Sequence, residues 1–474
     1  MFEQPRWSKW SVLNLAAGFV WVSQAAPLSF LAGIPIWIVA SVFLASGVSQ
    51  LVWPGDTRIT QTGALAGALG VVVALPYAFG VGFGSLLLLV GSSLLAAWGA
   101  GRMALQLEPH YEGVPVPEPS FQLAGKVAID ELILGFEQWG ATGFALDGTL
   151  ERVIDEMGRM HSIFEREGFL EKPDGYHVMP PDLVDPEIRH KKIAGNDVEM
   201  LQFESGYAPT TGEPGRERWL GYEPCRDGRA YVLRHPRDSR EDGSPRPWMI
   251  CTNGYRMGHA LIDIGLFERF HHKLGLNVLI PVLPLHGPRR LGWHSGSGFL
   301  GIDVIDTLHA EAQAVWDMRR LLSWIRTQDE GEVGAFGLSL GGYTTALFAS
   351  VAEGLTAAIP GIPLADIPRI FSRHAAPHQM RYAEHLGFDL DRASEILRVV
   401  SPLVLKPKVP IEGRMIFGAT ADRLVTPDHV RDLWRHWDEP EIVWYDGGHV
   451  TFRSEREVWS GVDRTLRENG LSAS

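Results

Sequence analysis

The sequence predicts an α/β fold, a mainly parallel sheet flanked by helices, preceded by N-terminal transmembrane helices. Three observations carry this. Two long stretches near the N-terminus contain no charged residue. From about residue 199 onward, short apolar stretches of strand length alternate with helix-like stretches, the pattern of a parallel sheet with helices on both faces. Finally, "GAFGLSLGGYTTALFAS" (334–350) sets Ser339 among glycines between one such strand and one such helix.

At 474 residues the chain is too long for one average domain, so two regions are expected. Its net charge of −13 gives a nucleic-acid role little electrostatic support. The two cysteines, Cys225 and Cys251, lie far apart with no metal-ligand spacing. They suit two free thiols in a reducing compartment rather than a disulfide framework or a zinc site.

The uncharged runs, 11–53 and 63–101, are each about twice the length of roughly 20 residues that a span needs. Each reads as a helical hairpin, with turn signals at "QAAP" (24–27) and "LPYAFGVG" (75–82). The first arm, Trp10 to Gln24, is short enough to lie at the interface instead. Arg6 and Lys9 precede the first arm, Arg58 lies between the hairpins and Arg102 follows the last, while both hairpin tips are neutral. The positive-inside bias puts the N-terminus, the middle loop and everything after residue 101 in the cytoplasm. Arg6, Lys9 and "VSQAA" also fit a cleavable signal peptide, but a second apolar run follows at once.

Residues 104–119 hold four prolines and read as a linker. Two amphipathic helices follow, 120–139 with Ser120 as N-cap, and 147–169. Residues 169–197 read as proline- and charge-rich loop. Strands are predicted at 198–207, 228–236, 248–253, 277–284, 333–337, 357–362, 414–419 and 441–446. Helices are predicted near 258–273, 303–327, 340–353, 427–437 and 455–468. Residues 363–411 interrupt this rhythm with helical material placed where a lid would cover a site. The regions expected are thus a membrane part over 1–103, linker and amphipathic helices over 104–198, and a catalytic domain over 199–474.

"GLSLGG" matches G-x-S-x-G with Gly337, Ser339 and Gly341, after a short apolar strand and at the start of a helix. That context is what a nucleophile elbow requires. A serine hydroxyl needs a base, and "WYDGGHVTF" presents His449 after a strand and two glycines. The base needs an acid to fix its tautomer, and "MIFGATADRLVTPDHV" supplies Asp422 just past a strand end. Asp446 and Asp428 are competing acids. For the oxyanion, the N–H of Leu340 is one donor, and the N–H of Tyr255 in "CTNGYRMGH" is the other, with Gly254 as the alternative. "PVLPLHGPRRLGWHSG" brings His286, Arg289 and Arg290 toward the same sheet edge, either as a basic rim for an anionic group or as a structural turn. His259, His309 and His429 read as ordinary helix or loop histidines, and no cluster has metal spacing.

The order Ser339, Asp422, His449 resembles that of the α/β-hydrolase superfamily over roughly 200–470. "CTNGYRMG", "VLPLHGPRR", "AFGLSLGGYTTAL", "FGATADRLVTPDHV" and "VWYDGGHV" follow one another in a pattern similar to the alpha/beta-hydrolase-domain-containing-18-like family. Leu340 stands where that family has methionine after the nucleophile, and its charged-proline segment here reads Pro288-Arg289-Arg290. The resemblance implies an α/β-hydrolase fold and serine-dependent hydrolysis of an ester, a lipid among the candidates. The expectation is a membrane-anchored serine esterase or lipase facing the cytoplasm, working on an ester or lipid substrate beside the bilayer without a cofactor. Acyl transfer through the same acyl-enzyme, and a non-catalytic membrane scaffold that keeps the fold, are the alternatives.

Overall fold

The computed structural model describes residues 8–25, 28–77, 82–140, 147–236, 244–328 and 331–472. Arg6, and parts of both predicted hairpin tips, lie outside these residues. The chain divides into two compact units: Met1–Phe144 with Ala419–Asp428 and Trp444–Glu455, and Ala145–Gly418 with His429–Val443 and Arg456–Ser474.

The first unit begins with four apolar helices: α1 (Ser11–Ala25), α2 (Phe30–Val52), α3 (Thr57–Tyr77) and α4 (Phe83–Leu107). Three segments, Leu31–Val52, Thr57–Tyr77 and Phe83–Leu107, are long and apolar enough to cross a membrane, whereas α1 has only 15 residues. Small residues let the helices approach closely. Gly18 and Gly47 bring α1 and α2 together against Leu44 and Leu15, and Gly67 and Gly70 bring α3 against Ala97 and Ser93 of α4. Polar side chains turn inward: Asn14 donates to Gln50 at 3.2 Å, and the Trp21 indole donates to Ser93 at 3.2 Å. α5 (Phe121–Gly140) packs on α3 and α4, its Ser120 hydroxyl accepting the N–H of Leu123 at 3.0 Å as an N-cap.

The second unit opens with α6 (Asp147–Glu167), then β1 (Glu187–Ile193) and β2 (Asn196–Glu204). β1 corrects the expectation of loop over 169–197. Its sequence, "EIRHKKI", lacks an apolar face because it is an exposed edge strand rich in charge. Ala194 and Gly195, with φ of 52° and 84°, turn it back antiparallel onto β2 as a two-residue hairpin loop. Two short helices that the apolar pattern does not mark follow, α7 (Arg216–Leu220) and α8 (Glu223–Arg226). Next come β3 (Asp227–Leu233), β4 (Trp248–Thr252), α9 (Ala260–Leu274), β5 (Asn277–Val282), α10 (Val304–Gln328), β6 (Val333–Leu338), α11 (Leu340–Val351) and β7 (Ala357–Gly361). The interruption holds α12 (Ile367–His374), α13 (Pro377–His385) and α14 (Leu390–Leu397). β8 (Met415–Ala419), α15 (Pro427–His436), β9 (Glu441–Tyr445) and α16 (Arg456–Glu468) complete the chain.

The nine strands form one sheet in the order β1-β2-β3-β5-β4-β6-β7-β8-β9. β1, β2 and β3 run antiparallel to their neighbours, and β5-β4-β6-β7-β8 is parallel. β4, β5 and β6 are buried along their whole length, which is why they read as unbroken apolar runs rather than as alternation. This is the mainly parallel, helix-flanked α/β-hydrolase fold.

Candidate active site

Ser339 sits in the second unit, between β6 and α11, with φ 58° and ψ −118°. A non-glycine residue in that region is strained by roughly 1–3 kcal/mol and persists only where its surroundings hold it. Here the N–H of Ser339 donates to the carbonyl of Gly361 at 3.0 Å, while its own carbonyl accepts from Tyr343 N at 3.0 Å and Leu364 N at 3.2 Å. The glycines of the motif answer to contact. A Cβ on Gly337 would collide with the Gly341 carbonyl and the Thr345 hydroxyl, and one on Gly341 with the carbonyls of Thr252 and Asn253. Leu340 opens α11, so its N–H belongs to the first turn, which no helical carbonyl reaches.

The loop after β4 lies beside this turn. A Cβ placed on Gly254 would stand 3.5 Å from the Ser339 Cβ. Asn253 is buried and donates to Asp263 of α9 at 2.7 Å, and the second Asp263 oxygen accepts Gly258 N at 3.3 Å. Burial pushes the Asp263 carboxyl up to about 7. The guanidinium of Arg256 covers the Tyr255 ring, 4.5 Å from its centroid.

His286 and Arg289 do not form a basic rim. Arg289 is 0% exposed and pairs with Asp317 of α10 at 2.9 Å, while donating to the carbonyls of Val282 at 2.8 Å and Cys225 at 3.1 Å. It is a structural cation tying the end of β5 to α10. His286 is buried too, its Nδ1 2.9 Å from the carbonyl oxygen of Pro284, and its ring against Phe299 and Tyr255. Burial pulls its imidazole down to about 4, so it is neutral at physiological pH. Only Arg290 of the three is exposed, with its guanidinium on the Gly287 carbonyl at 3.0 Å. Sequence alone marks a Pro-Arg-Arg turn but not which arginine faces inward. His429 is also more than an ordinary helix histidine, since its Nδ1 accepts the N–H groups of Ala365 and Asp366, each at 3.2 Å.

Asp422 and His449 lie in the first unit. One Asp422 oxygen accepts Leu424 N and Val425 N, each at 2.9 Å, which fixes the carboxylate on its own turn. The other lies 2.6 Å from His449 Nδ1. Asp446 instead accepts the Thr420 hydroxyl at 2.7 Å. Burial lowers the His449 imidazole, but Asp422 and then Asp130 outweigh it, leaving it above its ordinary value. Asp130 of α5 is a residue that sequence reasoning missed. It accepts the backbone N–H of His449 at 2.8 Å and that of Arg423 at 3.1 Å. A signal was there: Leu123, Val127, Asp130 and Leu134 share one face of α5, so Asp130 occupies a core position. Among the described residues, no three His, Cys, Asp or Glu side chains are grouped to hold a metal ion.

Together, the sheet and the serine at its strand-to-helix turn define a chain of the α/β-hydrolase class. Over 363 residues it is 41% identical to an uncharacterized protein of Mycobacterium tuberculosis strain CDC 1551 / Oshkosh, covering 76% of this chain and 85% of that one. An uncharacterized protein of strain H37Rv matches at the same identity and coverage. The chain belongs to the family of these mycobacterial proteins. No protein-family model matches it. Among solved structures it is similar to acetyl xylan esterase 1 from Thermoanaerobacterium sp., at 15% identity and TM-score 0.42, covering 64% of this chain and 97% of that one. It is also similar to acetyl xylan esterase from Paenibacillus sp. R4, at 13% identity and TM-score 0.44, covering 63% and 98%.

Proposed function

We propose that the protein is a membrane-anchored serine hydrolase that cleaves a carboxylic ester, with Ser339, His449 and Asp422 as its triad. The Ser339 hydroxyl attacks the ester carbonyl as His449 Nε2 takes its proton, and Asp422 holds the imidazole through Nδ1 and stabilises the imidazolium. The N–H groups of Leu340 and of Tyr255, or Gly254 in its place, receive the oxyanion. His449 returns the proton to the leaving alcohol, and water then releases the acyl group by the same steps in reverse. The observation that carries this reading is the φ of 58° at Ser339 on a glycine-lined strand-to-helix turn, the strained backbone of a nucleophile elbow. The 2.6 Å pairing of Asp422 with His449 Nδ1 supports it from the acid–base side. The order of motifs shared with the alpha/beta-hydrolase-domain-containing-18-like family points the same way.

The three segments long enough to cross a membrane support an acyl lipid as substrate, reached from the bilayer. Lys9, Arg58 and Arg102 at the ends of the apolar runs support a cytoplasmic catalytic domain. Labelling by a fluorophosphonate probe, and turnover of para-nitrophenyl butyrate, should both vanish in Ser339→Ala while the protein remains in the membrane fraction. Unchanged turnover in that variant overturns the assignment.

A further inference from the structure

α5 lies outside the sheet domain, in the stretch that the sequence marks as linker and amphipathic helices, yet it carries a carboxylate aimed at the acid and the base. Asp130 is 0% exposed. Its two oxygens accept the N–H of His449 at 3.0 and 2.8 Å, and one of them also accepts the N–H of Arg423, the neighbour of Asp422, at 3.1 Å. One carboxylate thus clasps the backbone of the base itself and of the residue beside the acid. The two loops also meet directly, with Thr420 N on the Tyr445 carbonyl at 3.0 Å and Ala421 N on the Gly447 carbonyl at 3.2 Å.

Several features serve the clasp. A Cβ on Gly448 would stand 2.7 Å from the Asp130 carboxylate, so only glycine there lets it reach the amide. One turn before, Lys126 donates to the Asp446 carbonyl at 2.8 Å and pairs with Glu455 at 2.6 Å. The next residue, Glu131, is equally buried, accepts Arg423 Nε at 2.9 Å, and also accepts the hydroxyl of Thr60 on α3. Glu108 pairs with the same guanidinium. An isolated buried carboxylate costs several kcal/mol and is retained only where it is compensated. A leucine at position 130 would fill the face shared with Leu123, Val127 and Leu134 without that cost.

We propose that Asp130 of α5 is a positioning residue for the acid–base pair. The proposal rests on reading Ser339, Asp422 and His449 as a triad. Asp130 acts in two ways: it sets the His449 ring against Asp422 by holding both loops, and it adds negative charge beside the imidazolium. The charged and titratable groups around it are Asp422, Arg423, Tyr445 and His449 on the two loops, Lys126 and Glu131 on α5, and Glu108 after α4. Burial, then the like charge of Asp422, push its own carboxyl up to about 7, while His449 and the two amides pull it down.

The test uses the full chain in detergent micelles with para-nitrophenyl butyrate, counting active sites with a fluorophosphonate. Asp130→Asn keeps the shape and an acceptor oxygen but removes the charge. It should lower kcat per labelled site by about tenfold to a hundredfold, the scale of a misplaced catalytic group, with KM little changed. It should also move the acid limb of the kcat/KM profile to lower pH, because His449 loses a negative neighbour. Gly448→Ala, which pushes on the carboxylate from the other side, should lower kcat in the same way and decides the matter if Asp130→Asn does not fold. Wild-type kcat per site and pH profile in these variants, with Ser339→Ala inert, would overturn the positioning role and leave the triad standing. Turnover surviving in Ser339→Ala would instead bring down the triad, and this role with it.

Discussion

Asp422→Asn separates geometry from charge in the acid–base pair. The asparagine oxygen can keep the two backbone bonds to Leu424 and Val425, each at 2.9 Å in the wild type, so the turn stays as it is. What changes is the atom facing His449 Nδ1, now an NH₂ group where a carboxylate oxygen stands at 2.6 Å. Two donors cannot face each other, so the imidazole takes the tautomer with its proton on Nε2 and no longer has a lone pair for the Ser339 proton. A change of this kind in a serine triad costs on the order of 10⁴ in kcat, about 5.4 kcal/mol of barrier. The same variant removes the largest cause that holds the imidazole above its ordinary value. A histidine raised in the folded state adds stability that is fully present below the unfolded value of about 6.5 and is lost as pH rises through the folded value. Asp422→Asn should therefore flatten the fall of stability as pH rises above the unfolded value, and shift the residual acid limb of kcat/KM downward. The assay is stopped-flow hydrolysis of para-nitrophenyl butyrate from pH 5 to 9, with Asp446→Asn alongside, since the Asp446 carboxylate accepts the Thr420 hydroxyl, a bond that an asparagine oxygen keeps, and its charge should be dispensable. Asp422→Asn within a few fold of wild type, or an inactive Asp446→Asn, would refute the reasoning.

Arg289→Met leaves the buried Asp317 with the Ser205 hydroxyl at 2.5 Å and the charge of Arg320, but without its paired guanidinium, and should cost about 3–5 kcal/mol in denaturant unfolding; Arg290→Ala should stay within about 0.5 kcal/mol. Equal effects would show that Arg289 is not the buried partner. Glu311 of α10 is buried against the Thr344 hydroxyl at 3.1 Å, and burial raises its carboxyl to about 8. The folded protein then keeps a proton that the unfolded chain releases above about 4.5, so stability falls as pH rises from there toward 8. Glu311→Gln should remove that fall and be the more stable form at pH 8 by thermal unfolding, and a less stable Gln variant at pH 8 would contradict the buried neutral acid.

The parts of the fold legible in the sequence were those where one physical demand dominates locally. β4, β5 and β6 must be apolar on both faces, and they read so. The turn at Ser339 needs small neighbours on either side, and Gly337 and Gly341 advertise it. β1 was hidden because an exposed edge strand is selected for charge against pairing, so its composition imitates a loop. Arg289 and Arg290 are adjacent and identical in type, and only the tertiary position of Asp317, far along the chain, decides which one turns inward. Asp130 shows the same limit more sharply. Its periodicity marks it as buried, but its partners, the amides of Arg423 and His449, lie about 300 residues away and carry no side-chain signature of their own.

The surface of the four N-terminal helices permits a test of what surrounds them. Leu88 and Leu95 on α4 are 54% and 52% exposed, while Ala96 next to them is 0% exposed and packed inside the bundle. The same holds for Ile38 on α2 and Val72 on α3, both open on the outer face. Polar groups run the other way, with Asn14, Gln50 and Ser93 all turned in. Apolar outside and polar inside is the arrangement that a hydrocarbon solvent imposes, because a lipid-facing polar group finds no partner. The substitutions Leu88→Arg and Leu95→Arg therefore have opposite consequences in the two solvents. In water, two exposed leucines replaced by arginine would change stability by about 0.5 kcal/mol or less each and would raise solubility. In a bilayer, each arginine costs roughly 2.5–3.5 kcal/mol near the middle of a span, so the double variant should lose stable insertion. Carbonate extraction of membranes, followed by immunodetection, reads the difference: wild type should stay in the pellet and the double variant should shift to the supernatant or be degraded. A double variant that accumulates to wild-type levels and partitions as the wild type does would mean that these leucines do not face lipid.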